Sequence, residues 1–184
     1  LKTVHAFTPS LSAPRPERPI PLFFHDAEAI ESDVVGRLAA SGVSMADLRG
    51  LRDQSSDHQE AAALRALSDG VDVVVHPLLP RDWENHRSGR PTLLVRSGDD
   101  SGYWPVQVKF HRVLESQGPD GPVTWVSSLD AVRAEEAAPL RRFRWGTRLR
   151  AALQVAHYWR LLERTGFAAS TPRSASRAVA SSSR

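Results

Sequence analysis

Three polar side chains fall on two predicted strands that are neighbours along the chain. Residues 104–111 alternate apolar and polar side chains, which predicts a strand with Gln107 and Lys109 on one face. Residues 92–96 form a second strand candidate, joined to the first by a Gly- and Asp-rich turn, and Thr92 begins it. Metal-assisted hydrolysis of a phosphodiester needs oxygen ligands for Mg²⁺, an orienting cation and donors for the phosphate. A hydroxyl, an amide and an ammonium group on one hairpin are candidates for these roles.

Further candidates lie on two predicted helices. Arg150, Gln154 and Tyr158 recur at steps of four and form a polar stripe down one side of a long C-terminal helix. Glu60 adds a carboxylate on an earlier helix, with an alternative role as part of a helix cap. Gln154 and Tyr158 can equally form the wet edge of an amphipathic helix. Gln107 can equally be a polar residue on an open sheet face.

Lysine is rare in this chain, which makes one position distinctive. Lys2 and Lys109 are the only lysines, and every other basic side chain apart from histidine is arginine. A compact ammonium group suits a phosphate ligand or a water-orienting cation better than a guanidinium does. The pattern therefore favours Lys109 as an active-site residue.

Charge is unevenly distributed along the 184 residues. Of 24 basic and 21 acidic side chains, the segment 138–184 holds ten arginines and one acid, Glu163, a balance of +9, whereas residues 1–137 have a balance of −6. A basic C-terminal quarter indicates contact with nucleic acid or another polyanion, and the alternative is a solvated tail without a partner. The arginines expected to flank the last helix and to line a phosphate path are Arg141, Arg142, Arg144, Arg148 and Arg150.

Composition excludes several classes of protein. The chain has no Cys, so it has no disulfide framework, no Cys-ligated zinc or iron–sulfur site and no thiol nucleophile. No apolar run approaches the ~18 residues that span a bilayer, and no signal peptide is visible. We therefore expect a soluble, cytoplasmic protein without a membrane partner.

Apolar periodicity and turn residues predict the elements that position these side chains. Helices are expected at 26–40, 57–68 and 139–164, and strands at 71–76, 92–96, 104–111 and 123–126. Asp57 with Glu60, or Ser56 with Gln59, fits a capping box at the start of the second helix. Gly70 and Gly166 end the second and third helices. Strands flanked by helices predict an α/β or α+β domain with a mixed central sheet.

Composition also divides the chain. Pro14, Pro16, Pro19 and Pro21 predict an extended arm over residues 1–22. Residues 23–167 are predicted to be the folded domain, and residues 168–184 a disordered tail rich in Ser, Ala and Arg. The chain begins at Leu1 rather than Met and runs into this tail, so we expect a fragment or a truncated copy of a longer protein.

Two segments together resemble a known family. The run Gly89-Arg90-Pro91-Thr92-Leu93-Leu94-Val95-Arg96, followed by residues 103–111, is similar to the active-site hairpin of RecB-family nucleases, which belong to the PD-(D/E)XK superfamily. Gln154-Val155-Ala156-His157-Tyr158 resembles the QxxxY motif that these nucleases place on a later helix. Glu60 resembles their first acidic helix motif, so the likeness covers residues 57–167.

The resemblance implies a restriction-endonuclease-like fold, a three-layer α/β core whose mixed central sheet is flanked by helices. It implies hydrolysis of DNA phosphodiesters with Mg²⁺ or Mn²⁺ in DNA repair or recombination, with a helicase or another repair protein as a partner. The residues it assigns are catalytic Lys109, Gln107 and Glu60, metal-binding Glu60, Thr92 and Gln107, and DNA-binding Gln154 and Tyr158. The basic segment adds Arg148 and Arg150 as DNA-binding candidates, and His111, on the same strand face as Lys109, is expected to border the groove.

Two substitutions set this chain apart from the family pattern. Position 92 holds Thr where the family has a metal-bridging Asp, and position 107 holds Gln where the family has a carboxylate, so Glu60 is the only acid left at the aligned positions. Three hypotheses stay open: a metal-dependent DNA nuclease, a nucleic-acid-binding module that has lost catalysis, and a truncated remnant without a selected function.

Overall fold

A computed structural model of the chain describes residues 20–99, 101–109, 114–121, 123–129, 138–146 and 149–170. The helices in these ranges are α1 (Ile20–Ala40), α2 (Ser56–Ser68) and α3 (Leu149–Thr165), with a single 3-10 turn at Arg49–Leu51. The strands are β1 (Met45–Asp47), β2 (Val73–Val75), β3 (Leu79–Asp82), β4 (Arg87–Gly89), β5 (Leu93–Arg96), β6 (Tyr103–Val106), β7 (Leu114–Ser116), β8 (Thr124–Val126), β9 (Ala138–Leu140) and β10 (Phe143–Trp145). The predicted α/β class is confirmed, and no described helix is long and apolar enough to cross a membrane.

A four-stranded sheet with the order β1-β2-β5-β6 lies at the centre. β1 and β2 are parallel, whereas β2 pairs antiparallel with β5 and β5 with β6. The mixed sheet and the antiparallel hairpin that the sequence predicts are therefore both confirmed. Three two-stranded antiparallel ribbons, β3–β4, β7–β10 and β8–β9, accompany the central sheet.

Helices cover both faces of this sheet because successive strand side chains point to opposite sides. On one face, α1 packs its buried Val34, Val35 and Leu38 against β2 and β5. On the other face, Leu67 of α2 and the pair Leu161 and Leu162 of α3 pack against Val74, Leu79 and Leu94. The all-valine strand β2 is buried on both sides, which is why its sequence is a continuous apolar run rather than an alternating one.

The first helix begins earlier than predicted. α1 starts at Ile20 instead of residue 26, with Pro21 in its first turn. Proline is tolerated there because its missing N–H would have no partner within the helix. The predicted extended arm 1–22 is therefore wrong for its last three residues, and residues 1–19 lie outside the described ranges.

The second helix matches its prediction except at the cap. Ser55, not a later residue, is the N-cap: its backbone is extended and its hydroxyl accepts a hydrogen bond from the His58 N–H at 3.3 Å. Both predicted capping boxes are therefore wrong, because the helix already begins at Ser56. Gly70 has a φ of 70° beyond the last turn, the left-handed conformation predicted for it.

The third helix begins ten residues later than predicted. Residues 138–140 and 143–145 are strands β9 and β10, and the helix starts at Leu149. Pro139 lies opposite Trp125 in the β8–β9 ribbon, a pairing between distant segments that helical periodicity does not register. As a result Arg141, Arg142 and Arg144 lie in and beside β10 rather than at a helix start. Gly166, with a φ of 77°, follows the helix as expected.

Three further boundaries differ from the predictions. β6 ends at Val106, so Gln107 and Lys109 follow the strand instead of lying within it. The β3–β4 hairpin was not predicted, because Pro80 and a polar sequence conceal it. Residues 168–170 do not belong to a disordered tail, since Ala168 bridges Tyr103 and Ala169 is buried. The rest of the predicted tail lies outside the described ranges.

Candidate functional site

Thr92 and Gln107, two of the predicted site residues, lie together at one end of the central sheet. Because β5 and β6 are antiparallel, the start of β5 and the end of β6 lie together, and the C-terminal ends of β1 and β2 reach the same place. We call this the site end, marked by Thr92 before β5 and Gln107 after β6. Leu93 lies opposite Val106 in the hairpin, so the next residue outward on each strand faces the other.

Thr92 and Gln107 bond directly to each other. The Thr92 hydroxyl donates to the Gln107 amide oxygen at 3.1 Å, and Thr92 is only 7% exposed. A hydrogen bond between a neutral hydroxyl and a neutral amide therefore joins these two positions, and neither side chain brings a negative charge.

Lys109, Gln154 and Tyr158 form a hydrogen-bonded chain. The Lys109 ammonium donates to Gln154 Oε1 at 3.1 Å, and Gln154 Nε2 donates to the Tyr158 hydroxyl at 2.9 Å. The two α3 residues are one helical turn apart, which puts their side chains on the same face. The residues that the sequence assigns to one site from two distant segments do come together.

The unpredicted β3–β4 hairpin holds α3 in this position. A Cβ on Gly89 would come within 2.5 Å of the Tyr158 ring, so only glycine allows this approach without displacement. The His157 ring bonds the Ser88 carbonyl at 2.9 Å next to it. Tyr158 is 6% exposed as a result, and its hydroxyl is fixed for Gln154.

The remaining predicted residues are less closely connected. Glu60 is half-buried on α2, and no hydrogen bond or ion pair among the described residues joins it to Thr92, Gln107 or Lys109. Arg150 is exposed in the first turn of α3, one turn before Gln154. Arg148 and His111 lie outside the described residues.

The site end also contains a polar cluster that the sequence does not predict. Arg90 donates to the His76 carbonyl at 3.0 Å and to the amide oxygen of Gln59. His76 Nδ1 accepts from Arg52 at 2.9 Å, and His76 Nε2 donates to Glu31 at 2.5 Å. In the sequence, His76 precedes a proline just after β2, and Arg90 precedes a proline just before β5. Strand pairing brings these two positions to the same end of the sheet.

The ring of His76 lies between a cation and an anion. A guanidinium only donates hydrogen bonds, so Arg52 donates to Nδ1, and Nε2 faces the Glu31 carboxylate. The φ of 51° at His76 is unusual for a residue with a side chain. Backbone pairing holds it there, since the His76 N–H donates to the Thr92 carbonyl at 2.9 Å.

Charge at the site end is incompletely neutralised. The pKa of the Arg90 guanidinium is lowered, first by burial and then by the like charge of Arg52. Asp47 at the end of β1 is already paired: hydrogen bonds from Arg49 hold the pKa of its carboxyl below the usual value, against the opposing effect of burial. Among the described residues, Arg52 and Arg90 near Thr92 thus bond only to neutral groups.

The donor set does not fit a divalent metal. Mg²⁺ and Mn²⁺ prefer carboxylate oxygens and water, whereas Thr92 and Gln107 offer neutral oxygens that are engaged with each other. Among the residues that the structure describes, no three His, Asp or Glu side chains lie close enough together to hold a metal ion.

Comparison with known proteins identifies no relative. No protein-family model, no curated protein and no solved structure matches the chain. The resemblance to RecB-family nucleases therefore depends only on the residues named above.

Proposed function

We propose that this domain has a restriction-endonuclease-like fold of RecB type and binds DNA at the site end without cutting it. The observation that carries this proposal is the hydrogen bond between Thr92 and Gln107, which closes the metal positions while Lys109 stays in place beside them. A mixed sheet with helices on both faces and a hairpin opposite a QxxxY helix are compatible with the fold.

The cationic side of the site supports binding to a phosphate backbone. The Lys109 ammonium has three N–H donors and gives one to the neutral amide of Gln154, so its charge stays available to an anion. Arg150 adds an exposed positive charge on the same helix face. Contacts between basic side chains and phosphates supply most sequence-independent DNA affinity.

The absence of cleavage in this proposal follows from the donor chemistry. Two-metal or one-metal phosphodiester hydrolysis depends on carboxylates that hold the ion and on a water that the ion activates. Replacing carboxylates by a hydroxyl and an amide removes the negative charge that draws a divalent cation to the site. Lys109 alone neutralises a phosphate but does not supply a nucleophile.

A second candidate, the metal-dependent nuclease, is favoured by one observation. Hydrogen bonds join Lys109, Gln154 and Tyr158, three residues to which the RecB resemblance assigns roles at the site. In that case Glu60 and the oxygens of Thr92 and Gln107 would hold Mg²⁺ or Mn²⁺. The Thr92–Gln107 bond would first have to open.

The binding proposal is tested by fluorescence anisotropy with labelled single- and double-stranded DNA in EDTA. We expect Lys109→Gln to weaken binding about tenfold at low salt, the value of one charge-assisted hydrogen bond. The slope of log K against log salt should fall by about one ionic contact. Lys2→Gln removes the same charge at the only other lysine and serves as the matched control.

The same preparation separates the two candidates when Mg²⁺ or Mn²⁺ is added to labelled DNA. Wild type is expected to give binding and no product. Product from wild type but not from Lys109→Ala would establish the nuclease and reject the inactive module. Wild type that neither binds nor cuts would reject both and leave the remnant hypothesis.

A further inference from the structure

Among the described residues, two arginines at the site end have no carboxylate partner. Arg90 uses two of its N–H groups on neutral acceptors, the His76 carbonyl and the Gln59 amide oxygen. Arg52 uses one on the His76 imidazole. A guanidinium has five N–H donors, so within the part of the chain that the structure describes most of the donors of Arg52 and three of those of Arg90 are left for another group.

The nearby acids do not neutralise these charges. Glu31 bonds the far edge of the His76 ring, so the imidazole lies between that carboxylate and Arg52. Asp47 is paired with Arg49. Burial of a guanidinium without a counterion is costly, and a second guanidinium beside it adds repulsion, which is consistent with the lowered pKa of Arg90.

The cluster is joined to the proposed DNA site by the backbone. Arg90 lies two residues before Thr92, and the His76 N–H donates to the Thr92 carbonyl at 2.9 Å. β2 and β6 lie on either side of β5, so His76 and Gln107 are about two strand spacings apart, ~10 Å. That distance equals the rise of about three nucleotides along the axis of B-form DNA.

We propose that Arg52 and Arg90 form a phosphate-binding subsite that takes a phosphate group of the DNA strand bound at Lys109. This inference rests on the proposed function for its ligand. Two guanidiniums with several free donors suit the bidentate geometry of phosphate oxygens, and an anion between them removes the repulsion that the fold leaves unrelieved. The Gln59 and His76 contacts hold the Arg90 fork in place before a ligand arrives.

The subsite is tested first without DNA. Inorganic phosphate should raise the melting temperature of wild type relative to chloride at equal ionic strength. Arg52→Gln should need about tenfold more phosphate for the same rise in melting temperature, since the substitution removes a charged bidentate donor from an exposed position. Arg65→Gln, an exposed arginine on α2, is the charge-matched control. Equal protection of wild type and Arg52→Gln, or no protection of wild type, would overturn the subsite.

Arg90 needs a milder change because its contacts are buried. Arg90→Lys keeps the charge and loses the fork, so it should weaken phosphate protection while retaining a cooperative melting transition. Protection equal to that of wild type would show that the Arg90 fork is not a ligand. The phosphate assay also works if DNA binding fails, so the failure of the proposed function and that of the subsite are distinguishable.

The source of the phosphate is resolved with two oligonucleotides that differ only in a 5′-terminal phosphate. A terminal-phosphate subsite predicts that wild type favours the phosphorylated strand about tenfold and that Arg52→Gln removes this preference. A backbone subsite predicts equal affinity of wild type for both strands, with Arg52→Gln weakening both. If Arg52→Gln binds both oligonucleotides as tightly as wild type does, both versions of the subsite are contradicted.

Discussion

The two ends of the central sheet use their polar groups differently. At the end opposite the site, which we call the turn end, the β5–β6 connection satisfies itself locally: the Ser97 N–H donates to the Gly102 carbonyl at 2.8 Å and the Ser101 N–H to Asp99 at 3.0 Å. The Tyr103 hydroxyl there donates to the Val71 carbonyl at 2.8 Å. These bonds close turns and fasten elements together.

At the site end, bonds join side chains from separate elements, and positive charge is left over. Lys109, Arg52 and Arg90 all bond to neutral groups, and none has a carboxylate partner among the described residues. Stability alone does not favour unneutralised charge at half-buried positions such as those of Arg90 and Lys109. The contrast indicates that the turn end stabilises the fold, whereas the site end is arranged for a ligand that brings negative charge.

The largest test of this contrast places carboxylates at the site end. Thr92→Asp with Gln107→Glu replaces the neutral pair by two charges, and we expect cleavage of DNA with Mg²⁺ or Mn²⁺ at least about 100-fold above wild type, because a metal ion contributes several kcal/mol to such a reaction. The measurement is product formation from labelled DNA, with and without EDTA.

The variant with both Thr92→Asp and Gln107→Glu has its own controls. Adding Lys109→Ala should abolish the new activity, and the divalent ion should raise the melting temperature of the double variant but not of wild type. An inactive double variant that nevertheless binds the metal would contradict descent from a nuclease. An inactive variant without metal binding would contradict the assignment of positions 92 and 107.

Glycines at the two ends offer the next test. A Cβ on Gly102 would lie 2.6 Å from backbone atoms of residues 167 and 168 at a φ of 147°, so Gly102→Ala should cost about 2–4 kcal/mol of unfolding free energy. On Gly89 it would meet the Tyr158 ring, and Gly89→Ala should cost about 1–3 kcal/mol. Denaturant unfolding measures both changes.

The two variants should rank in the opposite order for DNA affinity: Gly102→Ala loses more stability, whereas Gly89→Ala loses more affinity. Gly89→Ala displaces Tyr158, and through Gln154 it disturbs Lys109, so its DNA affinity should fall. Gly102→Ala should keep wild-type affinity at temperatures where it is folded. Gly36→Ala, on an open face of α1, is the control and should not be destabilised. Equal affinities of the two destabilised variants would remove the functional distinction between the ends.

The only two tyrosines allow a finer comparison, since Tyr158 lies at the site end and Tyr103 at the turn end. Replacing either by Phe removes a buried hydroxyl and should cost about 1 kcal/mol of stability. Only Tyr158→Phe should also weaken DNA binding, by less than about tenfold because Lys109 keeps its charge. A weaker affinity in Tyr103→Phe would mean that the effect is general destabilisation.

Local patterns predicted the parts of the fold that local forces determine. The valine run of β2, the Gly- and Asp-rich turn and Gly70 after α2 each carry their own signal, and the hairpin register then brought Thr92 to Gln107. Spacing of four on a helix likewise placed Gln154 beside Tyr158. These relations need no knowledge of the rest of the chain.

Relations between distant segments were not predictable in this way. The β3–β4 hairpin depends on the buried Asp82, which accepts hydrogen bonds from Asn85, and on packing against α3. The cluster of Arg52, His76 and Arg90 depends on β1, β2 and β5 being neighbours, which no single segment encodes. The proximity of these charges therefore follows from the order of the strands in the sheet and is seen only in the folded chain.

The smallest effect concerns acid and belongs to the turn end. Hydrogen bonds from Ser97 and Ser101 lower the pKa of Asp99 to about 2. A carboxyl with a depressed pKa stabilises the fold above its unfolded pKa, near 3.8, and loses that contribution as the pH falls towards 2. Asp99→Asn should therefore melt slightly below wild type at pH 7, with the difference shrinking between pH 4 and pH 2, as circular dichroism would measure. Its DNA affinity at pH 7 should equal that of wild type. A difference in melting that is independent of pH would mean that the charge of Asp99 does not stabilise the turn.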